Sequence, residues 1–454
     1  MSLESDETRI SELQRQLGRL RIPFSKFIGA QSTASALLLL ALFAALFMAN
    51  STWRDSYETL TRYPLGLLIG GDAFEWSLRH LVNDGLIAFF FLLIGLEFKR
   101  ELLVGELTDP ARMRFLGVTA AGGMVLPALL YLLINLFSSA GQVRGWGIPM
   151  ATDTAIAIGV LMALGSRVPK AVFAFLIGLA IIDDIGAILV IALFYTEHIS
   201  LTALLAAAGL LAALLFFNRA GLRHPLVYAA GGVLLWIAIV RSGIHASIAG
   251  AVIAAAVPAR PRIRPDALPR KVQGVVEKTF PVRDEGEVLA DARTHERITR
   301  LEELAQAATT PLRRWENVLE LPVALIVLPL FVFLNAGIPI DGTALREAFV
   351  EPVSLGVMIG LVVGKPCGIL AGVFLGELTG WARRPAELSR YRLLGAGLLA
   401  GIGFTMSTFI ANLALGEDGE SIVLAKLGIL LASTIAAIAG YLVLRAADNQ
   451  CTGS

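Results

Sequence analysis

Residues 179–195 read LAIIDDIGAILVIALFY, and only Asp183 and Asp184 in that run are charged. The apolar run reaches back to Ala171, and a helix of about 17–25 mostly apolar residues is enough to span a bilayer. Residues 171–195 therefore read as a membrane helix with two carboxylates near its middle. Ionisable groups there cost from about 2.5 kcal/mol upward, and they persist where they do work. Adjacent helical residues project about 100° apart. Asp183 and Asp184 cannot both point one way, so one can face a water-filled cavity while the other faces a basic partner. Lys365, inside VMIGLVVGKPCGIL (357–370), is such a partner. The alternative for each is a structural ion pair joining helices. That alternative weighs more for Lys365 alone than for two adjacent aspartates, since a second carboxylate has no structural reason to be there.

The rest of the chain supports a membrane setting. Of its 454 residues, 56% are hydrophobic and 17% charged, and the formal net charge is +1. Soluble domains carry about 25% charge. A nucleic-acid binder would need a basic excess. The two cysteines and five scattered histidines support neither a disulfide framework nor a zinc cluster. Residues 1–29 mix acids and bases, which is not a signal peptide. Ile10, Leu13, Leu17 and Leu20 recur there at helical spacing, compatible with a short amphipathic helix or with a plain tail.

Eight further segments meet or nearly meet the length of a span in the same way, or fall short of it only by interruption: 30–50, 81–98, 115–137, 201–217, 318–336, 355–376, 422–444 and the broken 393–415. With 171–195 and the shorter 148–165, 225–240 and 244–257 they make twelve crossings. The charge of the loops tests that count. With the N-terminus inside, the inner segments hold 30 Lys and Arg and the outer ones 6, as the positive-inside rule requires. The domains follow: a tail over 1–29, a membrane half over 30–257, a charged linker over 258–317, a second membrane half over 318–446 and a tail over 447–454. The linker holds 22 charged residues and six prolines, the composition of a solvated cytoplasmic segment. Residues 65–76, LGLLIGGDAFEW, place Gly70-Gly71 between two apolar runs and predict a β-hairpin on the outer face. A lone hairpin is marginal in water, so pairing with the same hairpin of a second chain is expected.

Two spans read as broken. In PMATDTAIAIGV (149–160), Pro149, Thr152, Asp153 and Thr154 interrupt the apolar run. In GAGLLAGIGFTMSTFIANLAL (395–415), four glycines precede Thr405, Ser407 and Thr408. Close packing through small residues explains either one alone. Each, however, is the middle of three spans, one in each half. That placement predicts an inverted repeat with a site at the midplane, where half-helix ends and freed carbonyls hold an ion. Carboxylates, hydroxyls and carbonyls without thiolates suit a small hard cation, and carboxylates also take protons. A site that holds either Na+ or protons exchanges them.

Together with FFLLIGLEFKRELLVGEL (90–107), ATDTAIAIGVLMALGSRVP (151–169), SGIHASIAG (242–250), GKPCGI (364–369) and GIGFTMSTFIANLAL (401–415), the aspartate pair closely resembles the NhaA-type bacterial sodium/proton antiporters. The likeness runs from about residue 30 to 446 in the same motif order. It implies an all-α integral membrane protein of about twelve transmembrane helices in the bacterial inner membrane, with both termini cytoplasmic. It also implies inverted-topology repeats with two broken, crossing helices, and dimers through the hairpin. The transported ions are Na+ and H+, with Li+ expected as well, and the exchange is electrogenic. No cofactor, nucleic acid or enzymatic activity is implied. By the same resemblance, Asp183 and Asp184 are the cation and proton site, with Asp183 the partner of Lys365. Asp153 and Thr152 mark the helix crossing, where the aspartate and Lys365 balance helix-end dipoles. Glu97, Arg100, Glu101 and Glu316 match the cytoplasmic region that the family associates with pH activation, and His245 matches a family histidine. Two departures stand out. The linker is longer, and Asn317 and Glu320 stand near Glu316 where family members carry histidines.

Competing classes fit less well. A sodium/solute symporter would share the architecture. An intramembrane aspartyl protease needs a GxGD motif, and Asp183 follows Ile182. A channel would need a filter sequence.

Overall fold

The computed structural model describes residues 22–69, 72–165, 168–196, 199–261, 269, 272–273, 299–302, 304–305 and 308–451. The expected amphipathic segment before residue 21, the Gly70-Gly71 hairpin tip and most of the 258–317 linker lie outside the described residues.

The chain is almost all helix. In order come α1 (Ile22–Ala49), α2 (Arg54–Thr61), strands β1 (Pro64–Ile69) and β2 (Asp72–Ser77), α3 (Leu78–Val104) and α4 (Pro110–Leu136). A tight 3-10 turn at Val143–Met150 leads to α5 (Thr154–Ala163), followed by α6 (Lys170–Phe194), α7 (Leu201–Arg219), α8 (Pro225–Ser242) and α9 (Ile248–Ala256). After the linker come α10 (Pro311–Asn335), α11 (Gly342–Ala348), α12 (Pro352–Leu378), α13 (Arg390–Ala400), α14 (Phe404–Leu415) and α15 (Glu420–Cys451).

Among the described residues, nine helical segments are long and apolar enough to cross a membrane, or up to eleven if each of two bent pairs counts as one crossing. The bent pairs are α1 with α2, and α13 with α14, the latter bent by 48°. The remaining expected crossing, at 244–257, contains only the nine-residue α9. Gly243, at φ +84°, ends α8, and residues 244–247 precede α9 outside regular helix. The hairpin is antiparallel, with Pro64 opposite Ser77 and Ile69 opposite Asp72. The hairpin expected over 65–76 is therefore present.

Two compact units divide the chain. The first comprises Met1–Ile87, Glu106–Tyr195 and Val323–Ser454. Its middle is α4 packed on α12. A Cβ on Gly122 would overlap the Gly368 carbonyl oxygen, so these glycines permit backbone contact of the small-residue kind common between membrane helices. In α12, a π-type turn at Gly360–Gly364 immediately precedes Lys365. Such one-residue insertions in a helix concentrate at functional sites.

The second unit comprises Ala88–Gly105 and Thr196–Pro322. Its core joins Leu92 and Leu96 to Leu214, Tyr228, Leu235 and Ile253. Short α9 ends on a cation: Lys99 Nζ donates to the carbonyls of Ala254 (3.3 Å), Ala255 (2.7 Å) and Val257 (2.6 Å). An ammonium at a helix C-terminus satisfies orphan carbonyls and opposes the negative dipole end. This explains how so short a helix ends among apolar neighbours.

Candidate ion-binding site

The two interrupted helices meet at their breaks. Residues 151–153 separate the Val143–Met150 turn from α5, and residues 401–403 separate α13 from α14. Asp153 N donates to the Ile402 carbonyl at 2.5 Å, and Ser407 Oγ donates to the Ile148 carbonyl at 2.7 Å. Each break supplies the groups that the other leaves unpaired, the condition for irregular backbone at membrane depth.

Asp153 serves two helix starts at once. Its Oδ1 accepts from Ile156 N of α5 at 3.1 Å, and its Oδ2 accepts from Thr405 N of α14 at 3.0 Å. Each helix N-terminus carries roughly half a positive charge, so one carboxylate balances two of them. Lys365 does the reverse: its ammonium donates to the Met150 carbonyl, at the C-terminal end of the 3-10 turn.

The carboxylate pair sits beside this crossing on α6. Lys365 Nζ lies 2.8 Å from Asp183 Oδ2, with both side chains fully buried. Thr152 Oγ1 lies 2.8 Å from the same Asp183 oxygen and 3.0 Å from the Ala400 carbonyl. A hydroxyl has one proton to donate. Thr152 therefore donates to Asp183 Oδ2 or to the Ala400 carbonyl, one at a time. Asp183 Oδ1 is buried with no hydrogen-bond partner among the described residues. Asp184 is buried as well, at 6% exposure. Three buried carboxylates, Asp153, Asp183 and Asp184, stand here against one buried ammonium, Lys365.

Thr152, Asp153, Asp183 and Lys365 are thus brought together, with Asp184 next along the helix. Glu97, Arg100, Glu101 and Glu316 form a separate cluster in the second unit. Arg100 pairs with Glu316 at 2.8 Å and with Glu101 at 3.0 Å, and Arg313 reaches Glu316 at 3.3 Å. Glu97 lies within electrostatic reach of Glu316, Arg100, Glu320 and Glu101. His245 contacts Ser247 Oγ at 3.3 Å, two residues on. The sequence reading missed the backbone partners Met150, Ala400 and Ile402, since a carbonyl carries no residue signature. It also missed Ser35, whose hydroxyl donates to the Ala155 carbonyl in the first turn of α5 at 2.7 Å.

A polytopic helical bundle in which two interrupted helices cross beside buried carboxylates and a buried lysine is a secondary ion transporter of the broken-helix type. The chain belongs to the Na+/H+ antiporter 1 family, which it matches over residues 25–444. It is 44% identical over 433 residues to the Na+/H+ antiporter NhaA 1 of Shewanella denitrificans, covering 95% of this chain and 96% of that one. It is 40% identical over 439 residues to the Na+/H+ antiporter NhaA of Sulfurimonas denitrificans, covering 95% and 97%. With the NhaA of Helicobacter pylori strain 26695 it shares 41% over 443 residues, covering 96% and 98%. A solved structure of the sodium proton antiporter MjNhaP1 from Methanocaldococcus jannaschii aligns over 91% of this chain and 98% of its own, at 15% identity and a TM-score of 0.45. That likeness is too distant to carry an argument. The chain is a multi-pass membrane protein of an antiporter family.

Proposed function

We propose that the protein exchanges Na+ for protons by alternating access, with Asp183 and Asp184 as the site for which the two ions compete. The observation that carries this reading is Asp183. One of its oxygens is held by Lys365 and Thr152, and the other is buried with no hydrogen bond. A buried carboxylate oxygen left so is costly, and a cation or a proton satisfies it. The excess of carboxylates over ammonium groups calls for cations, and Na+ and H+ are alternatives at this point. Once Na+ has left, two carboxylates accept more than one proton, which makes the exchange electrogenic. Thr152 ties the site to the helix break, because its hydroxyl stands between Asp183 and the Ala400 carbonyl. Asp153 and Lys365 keep the crossing neutral at its helix ends while this happens.

Li+, a smaller cation of the same charge and hardness, is carried too. The membrane is the bacterial inner membrane with both termini cytoplasmic, the orientation supported by the excess of Lys and Arg in the inner loops. Two copies pair through the 65–76 hairpin. Glu97, Arg100, Glu101 and Glu316 form a cytoplasmic cluster whose pH response is secondary to ion competition at Asp183 and Asp184.

Purified protein in proteoliposomes tests the exchange. An imposed Na+ gradient should drive proton movement in the opposite direction with no organic solute present. Sodium uptake that requires an organic solute and moves no protons would make the protein a symporter.

A further inference from the structure

Buried polar groups that the carboxylate site does not use gather at the opposite end of α14, within the first unit. Asn83 of α3, Asn335 at the end of α10 and Asn412 of α14 are all buried. Asn83 Nδ2 donates to Asn335 Oδ1 at 3.3 Å, and Asn335 Nδ2 donates to Asn83 Oδ1 at 2.8 Å. Asn412 Nδ2 donates to the same Asn335 oxygen at 2.8 Å, and Asn83 Nδ2 also donates to Glu417 Oε1 at 2.8 Å. Asn412 is 7% exposed, and its Oδ1 has no hydrogen-bond partner among the described residues. Apolar side chains would fill this space without that cost.

Chain topology puts the cluster at the outer face. Arg62, which precedes the hairpin, pairs with Asp418 at 3.0 Å, and Asn50 donates to the Ile338 carbonyl at 2.8 Å. These loops are the ones poor in Lys and Arg. Helix α14 connects the cluster with the carboxylate site. Thr405, whose N–H binds Asp153, lies seven residues before Asn412, about 10 Å along a helix. Thr405, Thr408 and Asn412 stand at i, i+3 and i+7, on one face, and all three are buried.

We propose that Asn83, Asn335, Asn412 and Glu417 form an outer transit site for Na+, reached from the carboxylate pair along the Thr405–Thr408–Asn412 face of α14. The proposal rests on the Na+/H+ exchange reading and adds the route by which Na+ meets the outside. Carboxamide and carboxylate oxygens are the ligands a small hard cation takes. The site holds the ion weakly. Lys426, buried in α15, lies within electrostatic reach of Arg79, Glu417 and Asp418, so basic side chains share this corner with the carboxylates. Weak holding suits passage, because an ion must leave as readily as it enters. The amide-to-amide hydrogen bonds close the route and must part for the ion to pass.

The test compares the two faces of the membrane. Asn412→Leu and Glu417→Gln keep side-chain size while removing a ligand oxygen or its charge. The KM for Na+ is measured in right-side-out vesicles for the outer face and in everted vesicles for the inner face. Losing one ligand of hydrogen-bond strength should raise the outer KM by about fivefold. The inner KM should stay at the wild-type value. Detailed balance then requires the maximal rate of outward Na+ release to fall by the same factor. Equal changes in KM on both faces, or a lower melting temperature with both KM values unchanged, would make the cluster a structural knot and overturn the proposal. Asp184→Asn serves as the control for the exchange reading itself. If it exchanges Na+ at the wild-type rate while the outer-face effect persists, the carboxylate assignment fails and the transit site stands.

Discussion

Lys365 Nζ and Asp183 Oδ2 are 2.8 Å apart, and neither side chain reaches solvent. Removing one member of a buried pair leaves the other uncompensated, typically at a cost of about 3–5 kcal/mol. Lys365→Ala should therefore lower the melting temperature in detergent and shift the pH profile of transport. The double variant Lys365→Met with Asp183→Asn removes both charges and should lose less stability than the two single variants combined. A double variant whose loss equals that sum would mean the two groups are not coupled.

Asp184→Asn should abolish Na+/H+ exchange, because an amide keeps the shape but takes no proton and offers a cation no full charge. Asp183→Asn should be severely impaired for the same reason, with the added loss of the partner of Lys365. Exchange assays on folded protein decide this, and a wild-type rate in Asp184→Asn would remove the pair from the mechanism.

Asp153 caps two helices, so its removal should cost more than an ordinary cap. A single N-cap is worth about 0.5–2 kcal/mol. Asp153→Ala should then destabilise by about 1–4 kcal/mol. Asp153→Asn keeps one acceptor oxygen for two N–H donors and should lie between that and wild type. Thermal melts of the three proteins rank them, and an Ala variant as stable as wild type would show that the two caps contribute nothing.

These residues differ in how legible they were. Asp183, Asp184 and Lys365 announce themselves as charges within apolar runs. The two helix breaks show through Pro149, Asp153 and the glycines at 395–403. What the sequence leaves open is direction. Two aspartates 100° apart do not by spacing say which one meets the lysine; the family resemblance names Asp183, and in the structure Asp183 pairs with Lys365. The carbonyls of Met150, Ala400 and Ile402 have no side-chain signature at all. Asn335 and Asn412 sit at the ends of spans, where asparagine ordinarily signals a turn, so the amide cluster was hidden. Lys99 lay in a charged run at the end of a helix, which reads as a solvated face until α9 is placed beside it. The 244–257 crossing was one of four expected as short or interrupted, and the nine residues of α9 alone do not reach across a bilayer.

The hairpin strands pair only with each other among the described residues, and Leu65 and Trp76 stand exposed opposite one another. Deleting residues 65–76 should weaken dimers while leaving monomers that transport, since the carboxylate site is built from other elements. Cross-linking before and after the deletion measures this, and dimers of undiminished yield would place the contact elsewhere.

Competition between Na+ and protons makes a separate prediction about pH. Both ions seek the same aspartate oxygens, so their binding is linked. Lowering the pH loads the carboxylates with protons, and Na+ must then displace them. The apparent KM for Na+ should rise as pH falls, by up to about tenfold per pH unit for each obligatory displaced proton. Saturating Na+ overcomes this, so the maximal rate should change little. A gate built on the Glu97, Arg100, Glu101 and Glu316 cluster acts differently. Arg100 is shared there between Glu316 and Glu101, and protonating either glutamate would release it. A change of that kind alters the fraction of protein able to turn over, and it cuts the maximal rate even when Na+ saturates. The two mechanisms leave different marks on one titration. Near Glu316 this chain has Asn317 and Glu320 and no histidine. Competition should therefore dominate: a steep KM and a flat maximal rate between about pH 5 and 8, the range in which histidine changes charge. A maximal rate that collapses at low pH while KM stays flat would assign control to the cytoplasmic cluster instead.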